Sequence, residues 1–276
     1  MDTPRDILRR HGLHAKHSWG QNFLGDPEIL EAIADALELR EGEPLVELGP
    51  GLGHLTRFLA ATGARVTAVE KDRDMIAVLE KEAIPGVRVV SGNAATVDFA
   101  EVAGVPELKV AGNLPYHLTS SILFQVLEQR DHVTCAVFTL QKEVVDRLSA
   151  RPGGREYGLL SAILGLYFEP EHLFDIDAHR FHPPPKVDSA VLRLTRRPQP
   201  LAPVVDGARF IRLVKAGFAQ RRKTLINSLK SDKSLGTLEQ LQQALATAGI
   251  DPTRRAETLS PEEFAAIERA LGPVAG

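Results

Sequence analysis

Asn113, Leu114, Pro115 and Tyr116 follow an apolar run (LKVA, Leu108–Ala111) and precede a helical pattern, in the stretch GNLPYHLTSSIL. Proline removes a backbone donor and biases the residue before it away from helix, so these four residues form a stiff turn. The turn offers an amide, a backbone carbonyl held in place by proline, and an aromatic ring. Two acceptors aimed at the N–H bonds of an aromatic exocyclic amine would localise a lone pair that otherwise delocalises into the ring. Tyr116 can stack on the base that carries the amine. This is catalysis by positioning and electrostatics, with no covalent nucleophile and no metal.

A second stretch, VELGPGLGHLT (Val46–Thr56), follows an apolar strand and opens a helix. Gly49, Gly51 and Gly53 let the backbone turn tightly and approach a ligand closely. The dinucleotide fingerprint G-x-G-x-x-G needs glycine at position 54, where this chain has His54. The spacing G-x-G-x-G preceded by Glu47 is instead the pattern of S-adenosylmethionine sites. Glu70 ends the next strand, where a carboxylate can accept hydrogen bonds from both ribose hydroxyls. Asn93, after the third strand, can face an adenine amino group. Such a cofactor carries a sulfonium, already a good leaving group. The nine histidines show no metal-ligand spacing with Cys135, so no metal is expected.

These residues must be held by a scaffold, and the chain describes one. PLVEL (Pro44–Leu48), ARVTAVE (Ala64–Glu70), VRVV (Val87–Val90), LKVA and TCAVFTL (Thr134–Leu140) read as buried strands. Helical patterns lie between them, as in Asp74–Ala83 and Ser121–Gln129. Strand-helix alternation means βαβ units and a mostly parallel sheet. Gly158–Phe168 reads as helix running towards strand, and Ser189–Thr195 as a late strand. Three prolines without periodicity in RRPQPLAPVVD (Arg196–Asp206) read as a linker, with helix to the end of the chain. Ser260 is the expected cap of a last helix that has Pro261 at its first position. The expected architecture is α/β: a Rossmann-like domain over 1–197, a linker over 198–206 and a small all-helical domain over 207–276.

With 43% hydrophobic and 25% charged residues the composition is that of a globular protein, and no apolar run reaches 18 residues, so no membrane span is expected. One cysteine excludes an internal disulfide and fits a reducing compartment. The N-terminus lacks the apolar core of a signal peptide, and a cytoplasmic location is expected. The net charge is −3, yet Gly207–Ser231 carries seven Lys/Arg and no acid. Such a basic island on an acidic chain suggests a polyanion-binding face, with Arg221, Arg222 and Lys223 as the expected phosphate contacts. His11, His14 and His17 fit either a solvated arm or an RNA contact. Trp19 fits either a lid element or a packed anchor.

Taken in order, HSWGQNFL (His17–Leu24), LGPGLG (Leu48–Gly53), NLPY (Asn113–Tyr116) and FHPPPKVDSAVLRL (Phe181–Leu194) resemble the small-subunit rRNA adenine dimethyltransferases linked to kasugamycin sensitivity. The resemblance covers nearly the whole chain, including QRRKTLINSL (Gln220–Leu229). It implies S-adenosylmethionine-dependent formation of N6,N6-dimethyladenosine at two adjacent adenosines in the 3′-terminal hairpin of small-subunit rRNA. The implied partner is an assembling 30S particle, and the implied state a monomer. Asn22 and Leu24 then join Gly49, Glu70, Asn93 and Asn113 around the cofactor. Phe181 becomes the second aromatic of the pocket, sandwiching the base against Tyr116. Many relatives carry Asp at the position of Asn93, so cofactor binding is expected to be somewhat weaker here. The competing readings are a macrolide-resistance enzyme acting on large-subunit rRNA, a non-catalytic assembly or transcription factor, and a DNA adenine methyltransferase. Resistance enzymes tend to be strongly basic, and this chain is not. Intact Glu70, Asn113, Pro115 and Tyr116 argue against a dead site.

Overall fold

The computed structural model describes residues 1–220 and 222–272. The strands are β1 (Phe23–Leu24), β2 (Pro44–Leu48), β3 (Arg65–Glu70), β4 (Val87–Ser91), β5 (Leu108–Asn113), β6 (Val133–Gln141), β7 (Phe168–Ile176), β8 (Phe181–His182) and β9 (Ser189–Arg196). The helices are α1 (Pro4–Arg10), α2 (Pro27–Asp35), α3 (His54–Ala61), α4 (Arg73–Glu82), α5 (Phe99–Ala103), α6 (Thr119–Glu128), α7 (Lys142–Leu148), α8 (Leu159–Tyr167), α9 (Gly207–Phe218), α10 (Leu225–Leu229), α11 (Leu238–Thr247) and α12 (Pro261–Ala270). Among the described residues no helix is long and apolar enough to cross a membrane.

Two compact units emerge, one of residues 1–145 and 171–196, the other of residues 146–170 and 197 onward. The seven-stranded sheet has the order β4-β3-β2-β5-β6-β9-β7. The β4-β3, β3-β2, β2-β5 and β5-β6 pairs are parallel, and β9 runs antiparallel to β6. Strand order reverses beside β2, since β3 and β4 extend one way and β5 and β6 the other. Ligands of open α/β sheets bind at the carboxyl ends of strands at such a reversal. The central strands are apolar on both faces, as the near-continuous runs require; Leu45, Val46 and Leu48 of β2 are fully buried.

The five early strands and the late strand form where the apolar runs lie, and the 158–168 stretch does pass from helix α8 into β7. The stretch before residue 22 is an ordered part of the first unit. Ile7 and Leu8 of α1 pack with Phe23, Leu52, Met75 and Val78. The His11 ring meets the Glu82 carboxylate at 3.1 Å, and that carboxylate also accepts from Arg10 and Arg57.

The second unit is built on α8 to α12, except that it includes residues 146–170, which composition alone leaves with the sheet. The reason is the all-round apolarity of α8: Ser161 to Tyr167 are all buried, and Tyr167 meets Phe210 of α9 edge-on at 6.3 Å. The proline-rich 198–206 segment, expected as a linker, is bonded along this unit. The Leu201 amide donates to the Leu166 carbonyl, and the Val205 and Asp206 amides donate to the Glu268 carboxylate. Ser260 caps α12 in a reciprocal capping box with Glu263, and Pro261 stands in the first turn.

Candidate active site

Each strand that ends at the reversal contributes one polar group. The loop after β2 carries Gly49 and Gly51, at φ 66° and 55°. A Cβ on Gly51 would stand 2.9 Å from the Phe23 ring, so the loop can pack there only as glycine. A Cβ on Gly49 would meet no protein atom within 4 Å; it would project into open cavity space.

Glu70 ends β3 and is 8% exposed. Its Oε2 accepts from the Gly51 amide at 3.1 Å, and its Oε1 accepts from the Lys71 and Asp72 amides at 2.8 and 2.9 Å. Burial pushes this carboxyl above its ordinary value, and the three amides oppose the shift. Asp72 caps α4 and anchors the arm that precedes β1. It accepts from Lys16 Nζ at 2.7 and 2.9 Å and from Gln21 Nε2 at 2.8 Å. Lys16 and Lys71 flank the face of Trp19, 5.4 and 6.0 Å from its ring centre.

β5 runs two residues further than its apolar core, so Asn113 is its last residue. The Asn113 Nδ2 donates to the Asn22 carbonyl at 3.0 Å, which fixes the amide and leaves Oδ1 as its free acceptor. The Leu114 amide donates to the Thr139 carbonyl of β6 at 3.2 Å. Pro115 (φ −58°, ψ 128°) leads into a 3₁₀ turn over Tyr116–Leu118, whose closing bond runs from the Leu118 amide to the Pro115 carbonyl. The Leu114 carbonyl takes no part in that bond. The Tyr116 hydroxyl pairs with Ser189 Oγ at 2.9 Å, and burial pushes its phenol pKa up, so the ring is fixed and neutral.

β1 and β8 form an antiparallel two-residue ladder, Phe23 opposite His182 and Leu24 opposite Phe181. The ladder ties the Asn22 arm to the Phe181 segment. A cavity of about 820 Å³ results, lined by Asn22, Leu24, Glu47, Gly49, Gly51, Glu70, Asn113, Leu114, Pro115, Tyr116 and Phe181 among others. A second of about 830 Å³ is lined by Glu70, Asn93, Gly92, Lys71, His117 and Leu118, and shares Trp19, Gly49, Leu114 and Pro115 with the first. Asn93 Oδ1 accepts from the Ala95 amide at 3.1 Å, which holds the side chain in an Asx turn and leaves one lone pair.

The residues singled out by motif thus gather around two adjoining cavities, although 159 positions separate Asn22 from Phe181. Arg222 and Lys223 are exposed in the second unit, and Arg221 lies outside the described residues. Lys223 borders an open cleft with Lys230 and Lys233, and among the described residues no acid lines it. Two contributors have no role of their own assigned by the sequence motifs. One is Ser189, 73 residues from the tyrosine it holds, for which no local signal exists. The other is Glu47, whose signal is an acid inside an otherwise apolar strand. It is 1% exposed, and its Oε2 has no hydrogen-bond partner among the described residues. Burial pushes its carboxyl up to about 8, and the nearby Glu70 charge adds to the shift. The Thr56 hydroxyl stands close enough to oppose this, yet forms no well-shaped hydrogen bond.

Two carboxyls, with no lysine or arginine among the described residues of the walls, make the first cavity a receptor for a cation. The amide and carbonyl of the turn are acceptors for N–H bonds, beside two aromatic rings. Comparison with known proteins agrees. The family model for "Ribosomal RNA adenine dimethylase" matches residues 12–272. "Ribosomal RNA small subunit methyltransferase A" of Myxococcus xanthus is 75% identical, over 99% of this chain and 97% of the relative. Its namesake in Moorella thermoacetica is 45% identical, over 96% and 95%. Among solved structures, the 23S rRNA methyltransferase ErmE matches at 31% identity and a TM-score of 0.67, over 91% of this chain and all of its own. A Plasmodium falciparum dimethyladenosine transferase shares the fold, with a TM-score of 0.76 at 24% identity over 89% of this chain and 95% of that one. The chain belongs to the ribosomal RNA adenine dimethylase family.

Proposed function

We propose that this protein dimethylates the N6 amines of two adjacent adenosines in the 3′-terminal hairpin of small-subunit rRNA, using S-adenosylmethionine. When bound, that cofactor supplies a methyl group on a sulfonium centre. Its fit rests on the cation-receptive cavity that Glu47 and Glu70 line and on the free lone pairs of Glu70 and Asn93. Glu70 would take the ribose hydroxyls, Asn93 the adenine amine, and Gly49, Gly51, Asn22 and Leu24 would shape the walls.

The observation that carries the reading is the Asn113 amide, clamped by the Asn22 carbonyl so that only its oxygen is left to accept. That oxygen and the Leu114 carbonyl would hold the two N–H bonds of the target amine and turn its lone pair towards the methyl. Tyr116, held by Ser189, and Phe181 would stack on the two faces of an adenine drawn out of its helix; such stacking contributes about 1–3 kcal/mol per base. Transfer of the methyl to nitrogen would break its bond to sulfur, leaving a neutral thioether, and would put positive charge on nitrogen. Neither an amide nor a carbonyl takes a proton at neutral pH, so the nitrogen loses its proton to water.

Rings and acceptors set which atom reacts; the basic face sets affinity. Arg221, Arg222 and Lys223 of the helical 207–276 part would bind rRNA phosphates, with Lys230 and Lys233 extending that surface. The protein would act in the cytoplasm, as a monomer, on an assembling 30S particle. The 75% identity to a small-subunit enzyme supports this over the large-subunit reaction.

The test supplies labelled S-adenosylmethionine to purified protein with under-methylated small subunits, and in parallel with large subunits, free rRNA and duplex DNA. Dimethyladenosine from small subunits alone, lost in Asn113→Ala, is the expected result. Label in large subunits would make it a resistance-type enzyme. No label, with cofactor and subunits still bound, would make it an assembly factor.

A further inference from the structure

The chain has one tryptophan, Trp19, and its ring borders both cavities while remaining 40% exposed. The turn that carries it is firmly held. The Trp19 amide donates to the Lys16 carbonyl at 3.0 Å. The Gln21 side chain accepts from the Lys16 amide and donates to Asp72, both at 2.8 Å. The next residue, Gly20, packs on the catalytic turn so closely that a Cβ there would lie 3.3 Å from His117 Nδ1 and 3.7 Å from Pro115 Cβ. The arm thus fixes a solvent-facing indole beside the turn that carries Leu114 and Tyr116. Two lysines stand near the ring, and they differ. Lys16 is engaged by Asp72 and Asp74, at 2.7 and 2.6 Å. Lys71, 6.0 Å from the ring centre and on the wall of the second cavity, is exposed and has no ion pair among the described residues. The acids nearest to it in the chain are already satisfied, Glu70 by three backbone amides and Asp72 and Asp74 by Lys16.

An open aromatic face with an unpaired cation beside it is the combination that binds single-stranded nucleic acid, the ring stacking a base and the cation meeting a phosphate. The cofactor is the poorer occupant. It has no phosphate and a net positive charge, so an unpaired lysine gains little from it. Glu70, suited to its ribose, is buried, whereas the indole faces solvent. We propose that Trp19 and Lys71 form a second base site: Trp19 stacks the base next in the RNA strand to the target adenine, and Lys71 meets the phosphate of that neighbour. The inference rests on the reading that Tyr116 and Phe181 hold a target adenine. An adenine drawn out of its helix leaves its strand neighbour short of a stacking partner, and the cost of that unstacking opposes capture. The indole replaces the lost partner and so holds the strand open. Trp19 is a positioning residue on this account, since it touches no reacting atom. Because the two target adenosines are adjacent, in one of the two rounds the stacked neighbour is the other adenosine.

Trp19 supplies the only indole emission of the chain, so its fluorescence reads the site directly. With S-adenosylhomocysteine saturating, hexa-adenylate RNA is expected to quench the emission of the full-length protein, and an abasic chain of the same length to leave it unchanged. On under-methylated small subunits, Trp19→Ala should raise KM for the subunits by about tenfold, with kcat and S-adenosylmethionine binding unchanged. Trp19→Phe, which keeps a ring, should recover most of that loss. Lys71→Gln should raise the same KM and shrink the log–log salt slope of subunit binding by about 0.7–0.9. Absence of quenching by hexa-adenylate overturns the proposal, as does a Trp19→Ala protein whose KM for subunits equals that of wild type. Weaker cofactor binding in Trp19→Ala, with that KM intact, makes the ring a cover over the cofactor and overturns it too. A fallen thermal midpoint in Trp19→Ala that accounts for the lost activity, with hexa-adenylate silent in wild type, makes the ring a packed anchor. Wild type that binds cofactor yet transfers no methyl to small subunits removes the reading beneath, whatever the emission shows.

Discussion

Glu47 and Glu268 are both essentially removed from solvent, at 1% and 0% exposed, and their surroundings are opposites. Glu268, in the helical unit, accepts from the Val205 and Asp206 amides at 2.9 and 3.0 Å and from Arg209 Nη2 at 2.5 Å. Arg209 in turn donates to the Glu268 and Gly272 carbonyls. Each charge has its counter-charge and its hydrogen bonds, so the pair acts as a staple between the segment before α9 and α12. Glu47 has neither among the described residues. The difference separates an acid kept for structure from one kept for a ligand: the first is satisfied by the fold, the second waits for something the chain does not supply.

Substitutions at the two positions should therefore fail in different ways. Arg209→Met leaves Glu268 buried and unpaired, and should lower unfolding stability by about 3–5 kcal/mol, read from the denaturant midpoint. A loss below about 1 kcal/mol would show that water reaches Glu268 and that the staple is superficial. Asn113→Ala should do the reverse. Turnover on small subunits should drop on the order of 10²–10³-fold, the usual effect of deleting one positioned electrostatic group. The thermal midpoint should barely move, because the Asn22 carbonyl it releases lies in a part-buried arm. A fall in midpoint matching the fall in rate would turn Asn113 into a structural residue.

Glu47 sharpens the contrast through pH. Its unfolded-chain value is near 4.5 and its folded value about 8. Below pH 4.5 both states hold the proton and the group has no effect on stability. Between 4.5 and 8 the unfolded chain has lost the proton and the folded one keeps it, so stability falls as pH rises through this window. Above 8 both are ionised and the decline stops. Glu47→Gln lacks this titration, so its thermal midpoint should gain on wild type as pH rises from 5 to 8. Saturating cofactor should flatten the wild-type slope by pairing the charge. A difference in midpoint that stays constant across the window would refute the buried, protonated state.

The lysines of the second unit's cleft differ again, being exposed and without an acidic partner among the described residues. Joint replacement of Lys230 and Lys233 by Gln should weaken rRNA binding and make it less salt-dependent. The log–log slope should shrink by about 0.7–0.9 for each phosphate that the protein no longer neutralises. Cofactor affinity should be unchanged. An unaltered slope would leave the cleft a solvated face.

What could be read along the chain was what the chain encodes locally. The β2 run, the glycine loop, the NLPY turn and the Ser260 cap each depend on neighbours within a few positions, and each forms where its residues stand. The contacts that complete the site are long-range. Asn22 and Asn113 are 91 positions apart, and two-residue strands such as β1 and β8 are too short to show any period. For the same reason α8 reads as apolar helix without revealing that its partner is α9. Proline in the 198–206 segment signals irregular backbone and says nothing of what that backbone donates to. Glu47 lies in a strand that stands out for its apolarity; its burial is what changes a strand residue into a ligand candidate.

Asn93 gives the finest version of the contrast, because there an amide stands where an acid would make the same bond. In this structure the side-chain oxygen is already bonded to the Ala95 amide at 3.1 Å, a bond that aspartate would make equally well. Asn93→Asp therefore keeps the loop and changes only the charge facing the second cavity. An anionic acceptor strengthens a hydrogen bond from an adenine amine, but Glu70 lines the same cavity and its charge works against a second. The two effects leave a modest net gain: cofactor should bind more tightly by at most about tenfold, or about 1.4 kcal/mol, with turnover unchanged. Titration of both proteins with S-adenosylmethionine decides it. Equal or weaker binding by the aspartate variant would mean that carboxylate repulsion governs this wall, and that the amide at position 93 suits a cavity already holding its share of acids.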